Sequence, residues 1–259
     1  MPDHVINIVA HRIYGLRTVV VEGLGPGASE PDSPFGSSAS PGPSRRIERV
    51  KDTNFGTRRS EKDINAFFSK DPDYAYPDGK SLNELFDGTG LEFRLTRTLD
   101  ISVESHVAGF ATQSDAVAIA RRHNRPDALN IYFYDDLEGA WGYANELRQD
   151  YEWHFAAISE RAVVEGSETI FKRMLVTIAH EIGHVFGLPH MPIDLSNIMA
   201  TGTLERRVEL TRTQELILNQ RGALLAAPHA WPQFDPSLGE IPRPQSREWH
   251  FDPEILEES

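Results

Sequence analysis

The feature that most constrains this chain is a set of five spaced residues in its second half. They are His180, Glu181, His184, Gly187 and His190, in the pattern H-E-x-x-H-x-x-G-x-x-H. Residues four apart lie on one face of an α-helix, so His180 and His184 can present their imidazoles to one metal ion. Glycine at position 187 permits a positive φ that ends the helix and turns the chain, which would bring His190 back as a third ligand. Such a trio leaves one tetrahedral position open for water, as catalytic zinc sites require.

The residues around this pattern predict that the helix has a separate core face. One apolar stripe is formed at helical spacing by Phe171, Leu175, Ile178, Ile182 and Val185. The histidines fall outside this stripe. The helix is expected to begin at Gly166-Ser167, with Glu168 in its first turn. The alternative is a core helix with incidental histidines. It is disfavoured because five fixed positions should coincide in roughly one unrelated chain of this length in ten thousand.

The segment resembles the zinc-binding signature of the metzincin clan of metallopeptidases. The resemblance includes a Met-turn at Asn197-Ile198-Met199-Ala200, where the methionine would lie beneath the three histidines without binding zinc. In outline it covers about Leu91 to Ala226, and its motif-level strength is confined to His180–Met199. The cysteines that mark archaemetzincins are missing, and no tyrosine follows the methionine closely. The subfamily therefore stays unassigned.

These residues predict metal-assisted hydrolysis of an amide bond. The expected ligands of one Zn²⁺ ion are His180, His184 and His190. Glu181 is the expected general base for a zinc-activated water, while Gly187 and Met199 are structural residues of the site. The predicted function is a zinc-dependent endopeptidase acting on a peptide or protein substrate. Two alternatives stay open: a catalytically silent zinc-binding or toxin-like module, and a zinc hydrolase that acts on a non-peptide amide.

Charge and composition limit the partners and the compartment. A net charge of −13 argues against nucleic acid and against an anionic membrane as partners. The absence of cysteine excludes a disulfide framework and thiol ligands. The first residues lack the charged and apolar regions of a signal peptide, and no apolar run is long enough to span a membrane. We expect a monomer, cytoplasmic if Met1 is native and secreted if a leader was removed, so the localisation stays undecided.

The rest of the chain predicts one α/β domain over residues 1–259. Strands are expected at Val5–Ala10, Leu16–Val21, Leu91–Ile101, Leu129–Tyr134 and Trp153–Ile158. Helices are expected at Glu61–Phe68, at Ser81–Phe86, from a cap at Ser114 to His123, and from a capping box at Thr211 and Gln214 to about Ala226. A Gly/Pro/Ser-rich insertion occupies about 23–45, and a Pro-rich tail occupies about 228–259.

The expected architecture has two lobes with the cleft between them. A mixed, twisted sheet and the zinc helix would form the upper lobe, and the Met-turn and the Thr211 helix would form a smaller lower lobe. Gly139–Ala144 fits an edge strand or a glycine-rich turn equally well. By the metzincin resemblance, an edge strand there would bind an extended peptide by strand addition. The pocket after the scissile bond would be shaped by roughly Ala200 to Arg207.

Two further groups of residues contain possible metal ligands. Outside the motif lie His4, His11, His106, His123, His154, His229 and His250, which are expected to be ordinary surface or core histidines. Asp135, Asp136 and Glu138 could hold a structural Ca²⁺ ion, because calcium favours oxygen ligands. These acidic residues lack an ordered ligand spacing, so an ordinary solvated turn is the preferred interpretation.

Overall fold

The computed structural model describes residues 2–23, 44–57, 59–68, 81–125, 127–145, 154–160, 167–191, 194, 196–200 and 209–226. The strands within these residues are β1 (His4–Gly23), β2 (Ser44–Gly56), β3 (Leu91–Glu104), β4 (Leu129–Tyr134), β5 (Gly142–Asn145) and β6 (Phe155–Ser159). The helices are α1 (Glu61–Phe68), α2 (Leu82–Leu85), α3 (Ser105–Gly109), α4 (Gln113–His123), α5 (Ser167–Val185) and α6 (Arg212–Ala226).

The six strands form one mixed sheet, which confirms the predicted α/β fold class. Their order is β2-β1-β4-β6-β5, and β3 also pairs with β1. Strands β1, β3, β4 and β6 run parallel to one another, while β2 and β5 are antiparallel to their neighbours β1 and β6. A strand has two hydrogen-bonding edges. Strand β3 pairs with residues 4–16 of β1 along one edge. Along the other edge, β4 pairs with residues 8–12 and β2 pairs with residues 14–23.

The long first strand corrects the prediction of two short strands interrupted at Tyr14-Gly15. The chain continues through these residues as a single strand, and a β-bulge between them absorbs the irregularity. Strand β2 was not predicted, because its sequence is charged and mixed rather than alternating. It forms because ten residue pairs match it to β1, so pairing with a neighbour overrides the weak local pattern.

Two other predicted boundaries differ from the structure. Strand β3 extends to Glu104, and a register shift opposite Ile8 and Val9 breaks the alternation of buried and exposed residues along it. Helix α4 is capped by Thr112 and not by Ser114. The Thr112 hydroxyl accepts the N–H of Asp115, whose carboxylate accepts the N–H of Thr112 in return. This capping box satisfies the backbone N–H groups of Thr112 and Asp115, whereas Ser114 is already the second residue of the helix.

The core lies on both faces of the sheet. Strand β4 is buried along its whole length, and its alternate residues face opposite layers. Ile131 and Phe133 join a cluster with α5, to which the stripe residues Leu175, Ile178, Ile182 and Val185 belong. Tyr132 and Tyr134 join the second cluster, which includes buried residues of α4. Helix α5 is therefore held against the sheet by its apolar stripe, which leaves its other face for the site.

Several predicted segments lie outside the described residues. These are most of the insertion at 23–45, the turn region at 69–80 and the tail at 228–259. No helix within the described part of the chain has the length and apolar character needed to cross a membrane.

Candidate metal centre

Helix α5, which carries His180 and His184, ends as the glycine at position 187 predicts. Gly187 has φ of +77°, in the left-handed region that favours glycine. Its N–H donates to the carbonyl of His184 at 2.8 Å, and the N–H of Leu188 donates to the carbonyl of Gly183 at 2.9 Å. These two hydrogen bonds are those of a Schellman motif, which closes the last turn and reverses the chain. The reversal carries His190 back toward the helix.

The structure brings the three predicted imidazoles together. The Nε2 atoms of His180 and His184 are 3.1 Å apart, and the Nε2 of His190 lies 3.2 Å from the first and 3.0 Å from the second. His180 and His184 are buried at 8% and 6% exposure, whereas His190 is exposed. One side of the trio therefore opens to solvent. The motif spacing alone had predicted this convergence.

Backbone carbonyls hold two of the imidazoles in a defined tautomer. His180 Nδ1–H donates to the carbonyl of Ile198 at 2.7 Å, and His184 Nδ1–H donates to the carbonyl of Leu188 at 2.8 Å. A carbonyl can only accept, so the proton of each ring is on Nδ1 and the Nε2 lone pair faces the other histidines. These carbonyls are the outer partners that ligating histidines use, and sequence reasoning did not identify them.

The donor set fits a zinc ion. Converging Nε2 lone pairs on neutral rings repel one another unless a cation lies between them. A tetrahedral zinc ion with Zn–N bonds of about 2.0–2.1 Å would hold its nitrogens about 3.3 Å apart. The observed separations of 3.0–3.2 Å are close to that value. Among the described residues, a cluster of three or more His, Asp or Glu side chains with converging ligand atoms is found at this trio.

The segment predicted to form a methionine turn packs against α5, the helix that carries His180 and His184. Met199 is fully buried, and its N–H donates to the side-chain oxygen of Asn197 at 2.9 Å. A Cβ on Gly183 would overlap the Met199 sulfur, so the glycine between the two helical histidines allows this close approach. The same turn carries the Ile198 carbonyl that holds His180. The turn thus packs against the helix that carries two of the histidines and fixes the orientation of one imidazole.

An amide pair that the sequence did not reveal ties this turn to α6. The side chain of Asn197 donates to Gln214 Oε1 at 2.8 Å, and Gln214 donates back to Asn197 Oδ1 at 3.1 Å. Gln214 Oε1 also accepts the N–H of Thr211, and the Thr211 hydroxyl accepts the N–H of Gln214, as the predicted capping box requires. Both amides are buried. Gln214 therefore caps a helix and anchors the turn with one side chain.

The side chain of Glu181 extends from α5 to the edge strand β5. Its side chain is buried at 7% exposure. The position that a Cβ on Gly142 would occupy lies 2.6 Å from Glu181 Cγ and 2.6 Å from Oε1, so the carboxyl group packs against the backbone of β5. This contact joins residues from two elements, and no sequence pattern predicted it.

The segment predicted as either an edge strand or a glycine-rich turn contains both. Glu138 and Gly139 have φ of +55° and +78°, and the N–H of Ala140 donates to the carbonyl of Leu137 at 2.8 Å. Positive φ at both central positions is typical of a type I′ turn. Strand β5 then begins at Gly142 and lies at the edge of the sheet, paired with β6.

The three acidic residues that could hold calcium lie after β4, in this turn or directly before it. Asp136 Oδ1 accepts the N–H of Gly139 at 3.0 Å, which stabilises the turn. Asp135 is buried at 3% exposure, directly after β4. The side chain of Asp136 therefore already has a structural role.

Two of the other histidines are buried in the body of the protein. His11 Nε2 donates to Asn130 Oδ1 at 3.0 Å, and its ring stacks on Tyr132 with centroids 4.3 Å apart. His154 Nε2 donates to the carbonyl of Ala128 at 3.2 Å. Burial lowers the pKa of His11 to about 4 and the pKa of His154 to about 4. His229 and His250 lie outside the described residues.

Comparison with known proteins gives one curated relative and several solved structures. No family model matches the chain. An extracellular metalloprotease of Colletotrichum graminicola (strain M1.001 / M2 / FGSC 10212) is 33% identical over 120 residues, which cover 42% of this chain and 40% of that protein. The chain thus matches less than half the length of this relative.

Two of the similar solved structures are described as an archaemetzincin and a zinc-dependent peptidase. Archaemetzincin from Methanopyrus kandleri is 18% identical to this chain, with a TM-score of 0.45. The alignment covers 64% of this chain and 91% of the archaemetzincin chain. The zinc-dependent peptidase from Methanocorpusculum labreanum (strain Z) is 15% identical to this chain, with a TM-score of 0.37. The alignment covers 53% of this chain and 90% of the peptidase chain. Both TM-scores are below 0.5, and neither likeness assigns the chain to a family.

Proposed function

We propose that this chain is a zinc-dependent metallopeptidase of the metzincin kind that hydrolyses internal peptide bonds. The observation that carries the proposal is the convergence of three imidazole Nε2 atoms within 3.0–3.2 Å, two of them on rings whose Nδ1–H donates to a backbone carbonyl. Three neutral nitrogen ligands with one open side are the donor set of a catalytic zinc ion, not of a closed structural one. The similarity to an extracellular metalloprotease supports the same activity.

In this proposal each residue of the site has a defined role. The metal is held by His180, His184 and His190. When bound, zinc would supply Lewis acidity for the scissile carbonyl and an acidified water at neutral pH. Glu181 accepts the proton of the attacking water and returns it to the leaving nitrogen, a task that a carboxylate buried beside the trio can perform. Met199 packs beneath the trio and does not ligate.

The edge strand supplies the proposed substrate-binding surface. The carbonyl of Trp141 accepts the N–H of Ser159 at 2.9 Å, so this pair is hydrogen-bonded across the antiparallel ladder. Bonded and non-bonded pairs alternate in such a ladder, so Gly142 and Ala144 turn their N–H and C=O groups toward the outer edge. An extended peptide could add there as a further strand. The residues from 201 to 207, expected to shape the adjoining pocket, lie outside the described residues.

The test is cleavage of a quenched fluorogenic peptide library by the zinc-loaded protein, with and without a chelator. We expect cleavage at internal bonds that the chelator abolishes. Glu181→Ala should retain one zinc per chain and lose about 10²–10⁴-fold in kcat, because it lacks the general base. Glu61→Ala, which removes an exposed glutamate of α1, is the matched control and should behave as the wild type.

The same assay distinguishes the two alternatives. Zinc bound at full stoichiometry with no peptide cleaved would support a catalytically silent or toxin-like module. Chelator-sensitive hydrolysis of small acyl amides with no peptide cleaved would support a hydrolase of non-peptide amides. Wild-type turnover by Glu181→Ala would remove this residue from the mechanism.

A further inference from the structure

Gly142 is the residue of the edge strand that meets the carboxyl group of Glu181. A Cβ built on it would lie 2.6 Å from Cγ, 2.6 Å from Oε1 and 2.7 Å from Cδ of the glutamate. Real Cβ atoms essentially never approach other heavy atoms this closely. Any side chain at position 142 would therefore force one of the two partners to move.

The glutamate is the partner that would yield. The backbone at Gly142 is fixed by the ladder, since Trp141 accepts the N–H of Ser159 and Gly142 pairs with Ile158. Two residues along, Ala144 points to the same face and is buried in the core cluster that contains α5. The carboxyl group of Glu181, by contrast, ends a side chain with three rotatable bonds. A methyl group at position 142 would thus displace the Glu181 side chain from Cγ outward, carboxylate included, before it moves the ladder.

We infer that Gly142 is a positioning residue for Glu181, and that its missing side chain defines where the carboxylate lies. The inference rests on the proposed function for its catalytic consequence. Glu181 meets Gly142 on the face of the sheet that α5 covers, while the N–H and C=O of Gly142 are directed toward the outer edge. The glycine thus lets the proposed general base lie directly against the backbone on which a peptide would dock. A catalytic group displaced by about 1 Å can lose about 10²-fold in rate.

The first test compares alanine substitutions at two nearby glycines, one in β5 and one in the turn that precedes it. Gly142→Ala should lower kcat on a cleaved peptide by about 10²-fold, while KM, zinc stoichiometry and the melting temperature stay close to wild type. Gly139→Ala is the matched control, because a Cβ there meets nothing within 4 Å although its φ is +78°. This control should lower the melting temperature through backbone strain and leave kcat unchanged. Wild-type kcat in Gly142→Ala would overturn the inference.

A second variant separates displacement of the carboxylate from general damage. Alanine ends at Cβ, so Glu181→Ala removes Cγ, Cδ and Oε1, the three atoms that the added methyl group would meet. The double variant Gly142→Ala/Glu181→Ala should therefore have a residual kcat no lower than that of Glu181→Ala alone. If the two losses multiply instead, the alanine acts by another route and the inference fails.

Crystal structures of metal-free wild type and Gly142→Ala give a readout that does not depend on activity. We expect the Glu181 carboxylate to move by about 1 Å or more in the variant, with β5 unmoved, because the side chain yields before the ladder. If the wild type cleaves no peptide but the carboxylate moves, the positioning role stands and the peptidase proposal fails. An unmoved carboxylate in the variant would overturn the positioning role, whatever the activity of the wild type.

Discussion

Single residues in this protein derive their roles from contacts that the linear sequence conceals. Gly142 and Glu181 are 39 positions apart, yet the first has no room for a side chain because of the second. Gly183 lies within the histidine motif and reads as a variable position, but its lack of a Cβ allows the Met199 sulfur to approach the helix. Helical spacing predicted which faces the histidines share, because that periodicity is local. The glycine contacts depend on packing between elements, which no local pattern encodes.

Burial of His11 and His154 predicts acid sensitivity. Both have a folded-state pKa of about 4, below the 6.5 of an unfolded chain, so the unfolded state binds more protons between these values. Stability is therefore full above pH 6.5 and is lost as the pH falls toward 4, by about 3 kcal/mol for each group at pH 4. His11 lies on β1 opposite Tyr132 of β4, and His154 directly precedes β6, so this part of the sheet should lose stability first.

His154→Gln tests this linkage, because its amide can still donate to the Ala128 carbonyl but does not titrate. The measurement is urea unfolding of the chelator-treated protein at pH 7 and at pH 4.5. The drop in unfolding free energy between these two values should be about 2–3 kcal/mol smaller in His154→Gln than in the wild type. His106→Gln, at an exposed position, is the control and should keep the wild-type drop. An equal drop in wild type and His154→Gln would refute the assignment.

The elements of the site are connected by a few side-chain hydrogen bonds. Helix α5 provides two histidines, the return after Gly187 provides the third, and the turn at 196–200 holds the first through the Ile198 carbonyl. Helix α6 supports that turn through Gln214 and Asn197. The capping box at Thr211 was readable because its two members are three residues apart. The hydrogen bonds between Gln214 and Asn197 could not be predicted from the sequence, since they depend on how α6 packs against the turn.

Gln214→Ala is predicted to weaken both the fold and the metal site. It removes a helix cap and the Gln214 acceptor of the buried Asn197 Nδ2, which together should cost about 2–3 kcal/mol of unfolding free energy. It also loosens the turn that carries the Ile198 carbonyl, the outer partner of His180, and should lower zinc affinity by up to the roughly 10–100-fold typical of losing such a partner. Thermal unfolding and competition with a zinc-chelating dye measure the two effects. Thr213→Ala, on the exposed side of α6, should change neither. Wild-type zinc affinity in Gln214→Ala would show that the turn does not depend on α6.

At the scale of the whole molecule, patterns confined to one element predicted the structure best. Leu129–Tyr134 and Glu61–Phe68 form with the predicted bounds, because a short β-branched and aromatic run or an amphipathic run specifies its own conformation. Strand β2 and the continuity of β1 were missed, because they arise from pairing between segments. The mixed sheet followed from the alternation of strands and helices, but the order of its strands did not.

The metal should stabilise the whole molecule, because its proposed ligands join separate parts of the chain. His180 and His184 belong to α5, which packs on the sheet, and His190 follows the reversal toward Met199. A ligand that binds only the folded state at a thousand times its Kd adds about 4 kcal/mol of stability. For a chain of this size that corresponds to a rise of roughly 10 °C in Tm.

Calorimetric melting with zinc and with a chelator tests this coupling. The wild type should melt roughly 10 °C lower in the chelator, because the apo protein loses the link between α5 and the returning chain. His190→Ala should melt at nearly the same temperature in both conditions, since two imidazoles hold zinc far more weakly than three. The variant thereby controls for effects of the chelator on the rest of the fold. Equal melting temperatures for the wild type in the two buffers would show that the three histidines do not hold a metal in the folded protein.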